Sequence, residues 1–368
     1  MKKILSVIVV VVVTLTQTAQ ITAFAQETDK PAVNAQACVL YCVDDGKVYF
    51  SVNENKKMKP ASTTKLMTSL ITLEYADSAD KVVAFTKDMT AEGSSMYLKV
   101  GEKVKLSDLA AGMMMASGND AANAAAISIA GSAEKFSELM NNRAAVIGMK
   151  NTHFVTPSGL DDENHYSTAY DMALLMSYAL ENESFAKLTS QKSVTVEFSE
   201  PQSKRTTYTN HNRLLSMYEY CTGGKTGYTM AAGRCLVSSA KKDGLTFVCV
   251  TLNDRNDWNA HIALYNYGFS KLACVECDDS DYYLEIPCAG GDDESIGVTG
   301  TKGKNVVVPF DKKSNVVRTA YADNFLYAPV KDGDIVGRIE YTLDGKTQAR
   351  TNITAVEYSN KQNKNKRI

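Results

Sequence analysis

The sequence predicts an α+β protein in which helices flank an antiparallel sheet, with an all-helical subregion and a small all-β domain at the carboxyl-terminal end. Three observations support this class. Runs rich in Val, Tyr and Phe occur at residues 38–52 and return at residues 235–252. A helical pattern fills residues 106–192 between them. After Cys277, short apolar runs recur at a spacing of roughly ten residues. Strands on both sides of a helical region can close one antiparallel sheet that the helices cover.

Two hairpins are expected to form this sheet. Residues 38–43 and 47–52 are strand-like runs that flank an Asp-Asp-Gly turn, and residues 235–240 and 245–252 flank a Lys-Lys-Asp-Gly turn. Polar turns that contain Gly, between runs of β-branched and aromatic residues, are typical of hairpins.

Three segments carry local helix signals. Pro60 precedes residues 61–71, whose apolar spacing suits a helix that a proline opens at its first turn. The alanine-rich residues 121–130 indicate a buried helix, and residues 261–272 suit a helix that closes the domain.

Composition excludes two classes of protein. The chain has 368 residues, of which 44% are hydrophobic, and its formal net charge is −2. This apolar content is not that of a disordered chain, and a charge near zero does not capture nucleic acid. At about 150 residues per domain, the length indicates two domains.

The amino terminus has the pattern of an export signal. A basic start at residues 1–3 precedes the apolar residues 4–15, and Ala23-Phe24-Ala25 forms a small-x-small site before Gln26. The apolar run is shorter than the ~20 residues that a membrane-spanning helix needs. We therefore expect residues 1–25 to be a signal peptide, and the protein to be secreted across the cytoplasmic membrane and associated with the cell wall.

The eight cysteines are predicted to be mostly free, buried thiols. If Ala240 pairs with Leu245 in the second hairpin, Cys235 lies opposite Val250 and Cys249 faces the other side. A single Cys-x-x-Cys pair is a weak zinc signal, and the four histidines have no HExxH spacing. Neither a metal nor a cofactor is expected.

Ser62-Thr63-Thr64-Lys65 is the first of three motifs that carry chemistry. Residues three apart share a helix face, so the Ser62 hydroxyl and the Lys65 amine are expected to meet. A serine hydroxyl becomes a strong nucleophile when a base takes its proton. Burial, the positive helix end and a second cation from Lys225 would favour the neutral amine. The spacing indicates a Ser–Lys dyad; an ordinary helix surface is the alternative.

Ser117-Gly118-Asn119 lies between two predicted helices. A tight interhelical loop can project a hydroxyl and an amide into a cleft. Ser117 is expected to pass a proton to the leaving amine, and Asn119 to hold the peptide backbone of a substrate. The alternative interpretation is a turn that ends in a helix cap.

Lys225-Thr226-Gly227 precedes the second hairpin and is predicted to lie on an edge strand. Gly227 would let a substrate lie against the backbone, as in strand addition. Lys225 and Thr226 offer a cation and a hydroxyl to a carboxylate. The backbone N–H groups of Ser62 and Tyr228 are predicted to form an oxyanion hole.

Taken in order, these motifs make the chain resemble the D-alanyl-D-alanine carboxypeptidases, the low-molecular-mass penicillin-binding proteins. Similar segments extend over residues 92–96, 151–154, 158–161 and 166–172, and residues 325–341 are similar to the family's C-terminal β-domain. The resemblance implies a fold like that of penicillin-binding proteins and serine β-lactamases. We expect a catalytic transpeptidase-like domain at residues 26–275, a β-domain at 276–358 and a basic polar tail at 359–368.

The resemblance also implies the reaction. The enzyme would remove the terminal D-alanine from peptidoglycan stem pentapeptides through an acyl-enzyme on Ser62, and β-lactam antibiotics would acylate the same serine. Arg213 matches a family segment and would contact the substrate carboxylate; a solvated loop arginine is the alternative. Many relatives end in a membrane-surface helix, but residues 350–368 have no apolar stripe, so membrane association is not expected.

Two rival functions share these motifs. A class A-like serine β-lactamase uses the same dyad, but no convincing Glu-x-x-x-Asn element follows Ser117. A non-catalytic penicillin-binding cell-wall protein would keep the fold without the chemistry. The sequence nevertheless retains every residue that the chemistry requires, namely Ser62, Lys65, Ser117, Asn119 and Lys225.

Overall fold

The computed structural model describes residues 30–291 and 293–356. The predicted signal peptide, residues 1–25, and the basic tail, residues 359–368, lie outside the described residues. Of the helices in the described part of the chain, none has the length and apolar character needed to cross a membrane.

The helices form a group that lies between the sheet-forming segments of the chain. In chain order they are α1 (Lys65–Ser78), α2 (Leu106–Ala116), α3 (Asn119–Ala130), α4 (Ala133–Ile147), α5 (Ala169–Ala179), α6 (Glu183–Thr189), α7 (Leu214–Met217) and α8 (Asp257–Lys271). Short 3-10 helices span Ala61–Thr64, Lys87–Met89 and Phe310–Asn315.

The predicted antiparallel sheet is confirmed, and both ends of the first region contribute to it. The strands up to residue 275 are β1 (Ala37–Cys42), β2 (Lys47–Val52), β3 (Val82–Ala84), β4 (Lys103–Lys105), β5 (Ser193–Glu197), β6 (Arg205–Thr209), β7 (Cys221–Thr229), β8 (Gly233–Lys242), β9 (Leu245–Leu252) and β10 (Leu272–Val275). The main sheet has the order β2-β1-β9-β8-β7, so β7 is an edge strand.

Alternate residues of the central strands enter different cores. Val237 and Val250 face a core that they share with helices α1 to α5, whereas Leu236 and Phe247 face α8, where they join Leu264. Successive side chains of a strand point to opposite faces of the sheet. Helices therefore cover both faces, which explains why β1 is buried along its whole length.

The expectation that residues 106–192 are helical throughout was wrong for the segment between α4 and α5. Gly148, with a φ of 88°, ends α4. The chain then runs irregularly, held by the isolated bridges His153↔Tyr166 and Met58↔Ser167, until α5 begins. A helical pattern in the flanking residues gives no sign of this interruption, because tertiary contacts hold the segment.

The second hairpin differs in register from the prediction. Lys242 pairs with Leu245, and Cys235 with Leu252. The turn is only residues 243–244, whose φ angles of 48° and 82° are both positive. Two-residue hairpin turns of this kind require positive φ, which Asp and Gly tolerate well. The strand pair is therefore longer than the apolar runs suggested.

The eight cysteines are free, and six of them are buried. Cys249 lies opposite Ser238 and not opposite Cys235. The two cysteines do not face each other, as predicted, although the register of the hairpin differs from the predicted one. Burial raises the pKa of the Cys38 and Cys42 thiols to about 12, so these side chains stay protonated. Within residues 30–291 and 293–356, no cluster of three His, Cys, Asp or Glu side chains could hold a metal ion.

The carboxyl-terminal region is all-β, as predicted. Its strands are β11 (Tyr283–Ala289), β12 (Ser295–Gly300), β13 (Val306–Pro309), β14 (Val317–Ala322), β15 (Leu326–Tyr327), β16 (Ile335–Leu343) and β17 (Lys346–Val356). Six of them form a sheet in the order β14-β16-β17-β12-β11-β15, and β13 pairs with β10. Strands β12 and β17 were not predicted, because their Gly-rich and polar sequences lack a clear apolar run.

Asp279 is a buried carboxylate that ties three strands of this region together. Its side chain is 1% exposed. It accepts hydrogen bonds from Arg318 Nε at 2.6 Å, from the Tyr341 hydroxyl at 2.9 Å and from the Thr351 hydroxyl. Because the donors lie on β14, β16 and β17, the carboxylate fixes the position of the chain that enters the β-region.

We expect Asp279→Asn to lower the free energy of unfolding by about 3 kcal/mol, because an amide cannot accept from all three donors and leaves Arg318 without its counter-charge. Chemical unfolding followed by circular dichroism measures this change. Asp281→Asn is the control, since Asp281 is exposed. Equal stability of the two variants would contradict the role given to Asp279.

Candidate active site

Ser62 and Lys65 meet at the start of the first helix. Ser62 lies on the 3-10 turn Ala61–Thr64, and α1 begins at Lys65. Side chains three residues apart eclipse one another in a 3-10 helix. The Lys65 Nζ and Ser62 Oγ atoms are accordingly 2.9 Å apart.

Lys65 is completely buried, with 0% of its surface exposed. Its Nζ also donates to Asn119 Oδ1 at 2.7 Å and to the backbone carbonyl of Ser158 at 2.6 Å. Burial, and secondly the nearby Lys225 amine, lower the pKa of Lys65 well below its ordinary value, while Asp120 opposes the shift. The site therefore favours the neutral amine.

Ser117 and Asn119 lie on the turn between α2 and α3. Ser117 ends α2 in the left-handed conformation, with a φ of 58°, and its Oγ lies 3.0 Å from Lys225 Nζ. Asn119 Nδ2 donates to the Glu92 carbonyl at 2.6 Å, while its Oδ1 accepts from Lys65. In this structure both ends of the Asn119 amide are thus engaged by the protein.

Lys225 is the second buried amine and lies on the edge strand β7. It is 1% exposed, and burial lowers its pKa to about 7. Besides Ser117, its Nζ contacts the Thr226 carbonyl at 2.8 Å. Lys65 contacts the hydroxyl of Ser62, and Lys225 contacts the hydroxyl of Ser117. Each of the two buried amines thus lies beside one serine of the site.

Gly227 lets β7 approach the turn that carries Ser62. A Cβ atom at this position would lie 3.0 Å from Ser62 N, from Thr63 N and from the Pro60 carbonyl. Such contacts are tighter than ordinary van der Waals packing. A side chain at position 227 would therefore push the edge strand away from the backbone N–H of Ser62.

The predicted residues surround a single cavity of about 400 Å³. Six of the nine line it directly, namely Ser62, Ser117, Arg213, Thr226, Gly227 and Tyr228. The other three, Lys65, Asn119 and Lys225, connect to this group through the hydrogen bonds above. The structure brings all nine together, although they come from the 3-10 turn before α1 and the start of α1, from the junction of α2 and α3, from the loop before α7, and from β7.

Several residues of the site were not anticipated. Ser94, His211, Arg234, Cys235, Asp257 and Trp258 also line the cavity. Partial burial of its ring and, secondly, the Lys225 charge lower the pKa of His211. His211 lies two residues before Arg213, and this proximity in the sequence could have identified it as a site residue. No motif marks Arg234, Asp257 or Trp258, because only the tertiary fold brings α8 to the cavity.

Asp120 holds the loop that follows Ser94, a residue of the cavity wall. Its carboxylate accepts from Ser95 Oγ at 2.7 Å, from Met96 N at 2.8 Å and from Leu98 N at 3.1 Å. A carboxylate that accepts several N–H and O–H bonds holds a loop rigidly. Its position directly after Asn119 could have suggested this role.

Comparison with known proteins gives the family. Residues 24–256 match a family model described as D-alanyl-D-alanine carboxypeptidase, and residues 278–360 match one described as the C-terminal domain of penicillin-binding protein 5. The D-alanyl-D-alanine carboxypeptidase DacF of Bacillus subtilis is 32% identical over 97% of this chain and 94% of its own. DacC of Escherichia coli is 33% identical over 91% of this chain and 87% of its own.

Solved structures agree with this assignment. Penicillin-binding protein 5 of Haemophilus influenzae superposes with a TM-score of 0.67 at 29% identity, covering 89% of this chain and 98% of the other. DacD of Francisella tularensis gives a TM-score of 0.65 at 29% identity, covering 89% and 94%. The expected family and fold are thereby confirmed, and the chain belongs to the D-alanyl-D-alanine carboxypeptidases, a family of serine peptidases.

Proposed function

We propose that the chain removes the terminal D-alanine from peptidoglycan stem pentapeptides through an acyl-enzyme on Ser62, and that penicillins acylate the same serine. The observation that carries this proposal is the 2.9 Å contact between Ser62 Oγ and the buried Lys65 amine. A neutral amine has two N–H donors and one lone pair. Asn119 and the Ser158 carbonyl accept the two donors, which leaves the lone pair for the Ser62 proton.

Lys65 would act as the general base of acylation. It takes the proton of Ser62, whose Oγ attacks the carbonyl of the penultimate D-alanine. The backbone N–H groups of Ser62 and Tyr228 would receive the developing negative charge as an oxyanion hole. The bond to the terminal D-alanine nitrogen then breaks, and water later hydrolyses the serine ester.

Ser117 would pass its hydroxyl proton to the leaving amine and take up the proton that Lys65 received from Ser62. Its hydroxyl lies 3.0 Å from Lys225 Nζ, and the charge of Lys225 favours transfer of a proton away from Ser117 toward the leaving nitrogen. Asn119 would hold the substrate backbone through Nδ2, and to do so it must release the Glu92 carbonyl that Nδ2 now contacts.

The terminal carboxylate would lie at the end of the cavity formed by Thr226 and Arg213. Both residues line the cavity with Ser62. A hydroxyl and a guanidinium can bind one carboxylate together, and Lys225 adds positive charge behind them. Because β7 is an edge strand, the substrate would pair with it as an added strand.

All these residues precede residue 275. We therefore assign catalysis to a domain at residues 26–275 and propose that residues 276–358 form a separate β-domain, with a basic tail at 359–368. The main sheet and its helices lie in the first part, and the six-stranded sheet lies in the second.

We expect purified protein to gain the mass of one penicillin on Ser62 and to release D-alanine from a peptide that ends in D-Ala-D-Ala. Peptide mapping by mass spectrometry and an assay for free D-alanine measure the two events. Ser62→Ala should abolish both, because no other hydroxyl contacts the Lys65 amine among the described residues. Ser69→Ala is the control. An acyl adduct in the Ser62→Ala variant would contradict the proposal.

Lys65→Arg should slow acylation by a factor of about 10²–10⁴, because a guanidinium stays protonated and cannot accept the serine proton. In the wild type, acylation should accelerate as pH rises through the lowered pKa of Lys65, since the neutral amine is the active form. The penicillin acylation rate measured against pH tests both points. Lys56→Arg, at an exposed position, is the control. An unchanged rate and pH profile in Lys65→Arg would exclude Lys65 as the base.

We also propose that the protein is exported and works at the cell wall. The support is the apolar run at residues 4–15 and the small-x-small site before Gln26. The expected outcome is a mature amino terminus at Gln26, which mass spectrometry of protein expressed in a bacterial host measures. Ala25→Leu should block processing at this site. Full-length protein retained in the cytoplasm would contradict the proposal.

A further inference from the structure

One wall of the cavity is unused by the reaction described above. It consists of Arg234 on β8 together with Asp257 and Trp258 at the start of α8. The Asp257 side chain is 2% exposed and accepts from Arg234 Nη2 at 2.8 and 2.9 Å and from Nε at 3.1 Å. The guanidinium carbon lies 5.6 Å from the centre of the Trp258 ring. Both partners therefore hold the guanidinium in a fixed position.

This wall and Arg213 lie toward opposite ends of β7. Asn212, next to Arg213, contacts Cys221 at the start of β7, with 3.9 Å between Nδ2 and Sγ. Arg234 pairs with Tyr228 near the end of β7. A substrate that pairs with β7 runs along this strand. If its carboxyl terminus lies by Arg213, the rest of the substrate therefore extends toward Arg234, by about 3.3 Å per residue. The wall therefore faces the residues that precede the scissile bond.

The chemistry of the wall is an apolar surface with one guanidinium edge. Asp257 occupies Nε and Nη2 of Arg234, so the Nη1 edge faces away from that pair, and the Arg234 side chain is 41% exposed. Trp258 adds a partly buried aromatic ring to this wall. Tyr228 and Met230, at 61% and 89% exposure, extend the apolar surface at this end. An aliphatic chain can lie on these side chains and end at the guanidinium.

We propose that Arg234, Asp257 and Trp258 form the acyl-side subsite of the cavity, and that this subsite selects stem peptides whose third residue from the carboxyl terminus has an aliphatic side chain ending in a carboxylate. The inference rests on the proposed function and names the substrate class of the same cavity. Arg234 and Trp258 contact the side chain of this residue. Asp257 is a positioning residue that orients the guanidinium.

Three acetylated tripeptides test the selection. They end in D-Ala-D-Ala and differ only in the preceding residue, which is α-aminoadipate, norleucine or lysine. We expect kcat/KM for D-alanine release to be highest with α-aminoadipate and lowest with lysine, with about a tenfold range, because a charge-assisted hydrogen bond to Arg234 is gained in one case and repulsion replaces it in the other. Equal values for the three peptides would overturn the proposal.

The double variant Arg234→Gln with Asp257→Asn removes both charges and leaves no buried carboxylate unpaired. It should abolish the preference for α-aminoadipate over norleucine, because the guanidinium that distinguishes the two side chains is gone. The control is Arg205→Gln with Glu197→Gln, an exposed pair on β5 and β6 that should leave all three values unchanged. A preference that survives the first double variant would overturn the proposal.

Trp258 is the one tryptophan of the chain, so tryptophan fluorescence reports on this wall of the cavity. This second measurement does not depend on the folding of the double variant. In Ser62→Ala protein, the α-aminoadipate peptide should change the tryptophan fluorescence in a saturable way, with a tighter midpoint than the lysine peptide. Absence of any change would overturn the subsite. Failure of the wild type to release D-alanine from any peptide would instead overturn the proposed function.

Discussion

The burial of two lysine amines behind one cavity is the constraint on which the active site depends. An ammonium group without solvent is costly, and a protein lowers this cost by releasing a proton or by surrounding the group with acceptors. Lys65 has both remedies, since its pKa is lowered and Asn119 and Ser158 accept from its nitrogen. The same burial that costs stability favours a neutral amine beside Ser62. In the proposed mechanism, catalytic function and electrostatic cost therefore have one origin.

The backbone around Ser62 is shaped to meet an edge strand. Ala61 has a φ of 49°, which is uncommon for a residue with a side chain. The glycine at position 227 lets β7 come within contact distance of the Ser62 and Thr63 amides. Strained backbone persists where surrounding structure holds it, and it is often found at functional sites. Here the strain and the close approach together place the amide of Ser62 beside β7.

Much of this arrangement was predictable because local sequence determines it. The Ser62 and Lys65 side chains meet because they are three residues apart on a helical turn, and Lys225 lies on a strand that a hairpin follows. The fold class follows equally from the order of strand and helix patterns. Strands β12 and β17 were not predicted. Polar and Gly-containing strands are stabilised by their neighbours in the sheet, and their own sequences lack the alternation of apolar and polar residues that marks a strand.

By itself, the sequence predicted which residues would carry the proposed chemistry, the class of fold and the free state of the thiols, because these depend on spacing, periodicity and local geometry. Only the tertiary structure decided which groups surround that chemistry. The engagement of Asn119 by Lys65 and Glu92 joins residues from three separate segments. The Arg234–Asp257 pair and Trp258 reach the cavity because α8 packs against β8, a long-range contact that leaves no local signal. A residue's role can be predicted from the sequence when its partners are neighbours in the chain. When they are distant in the chain, the tertiary structure is needed to identify it.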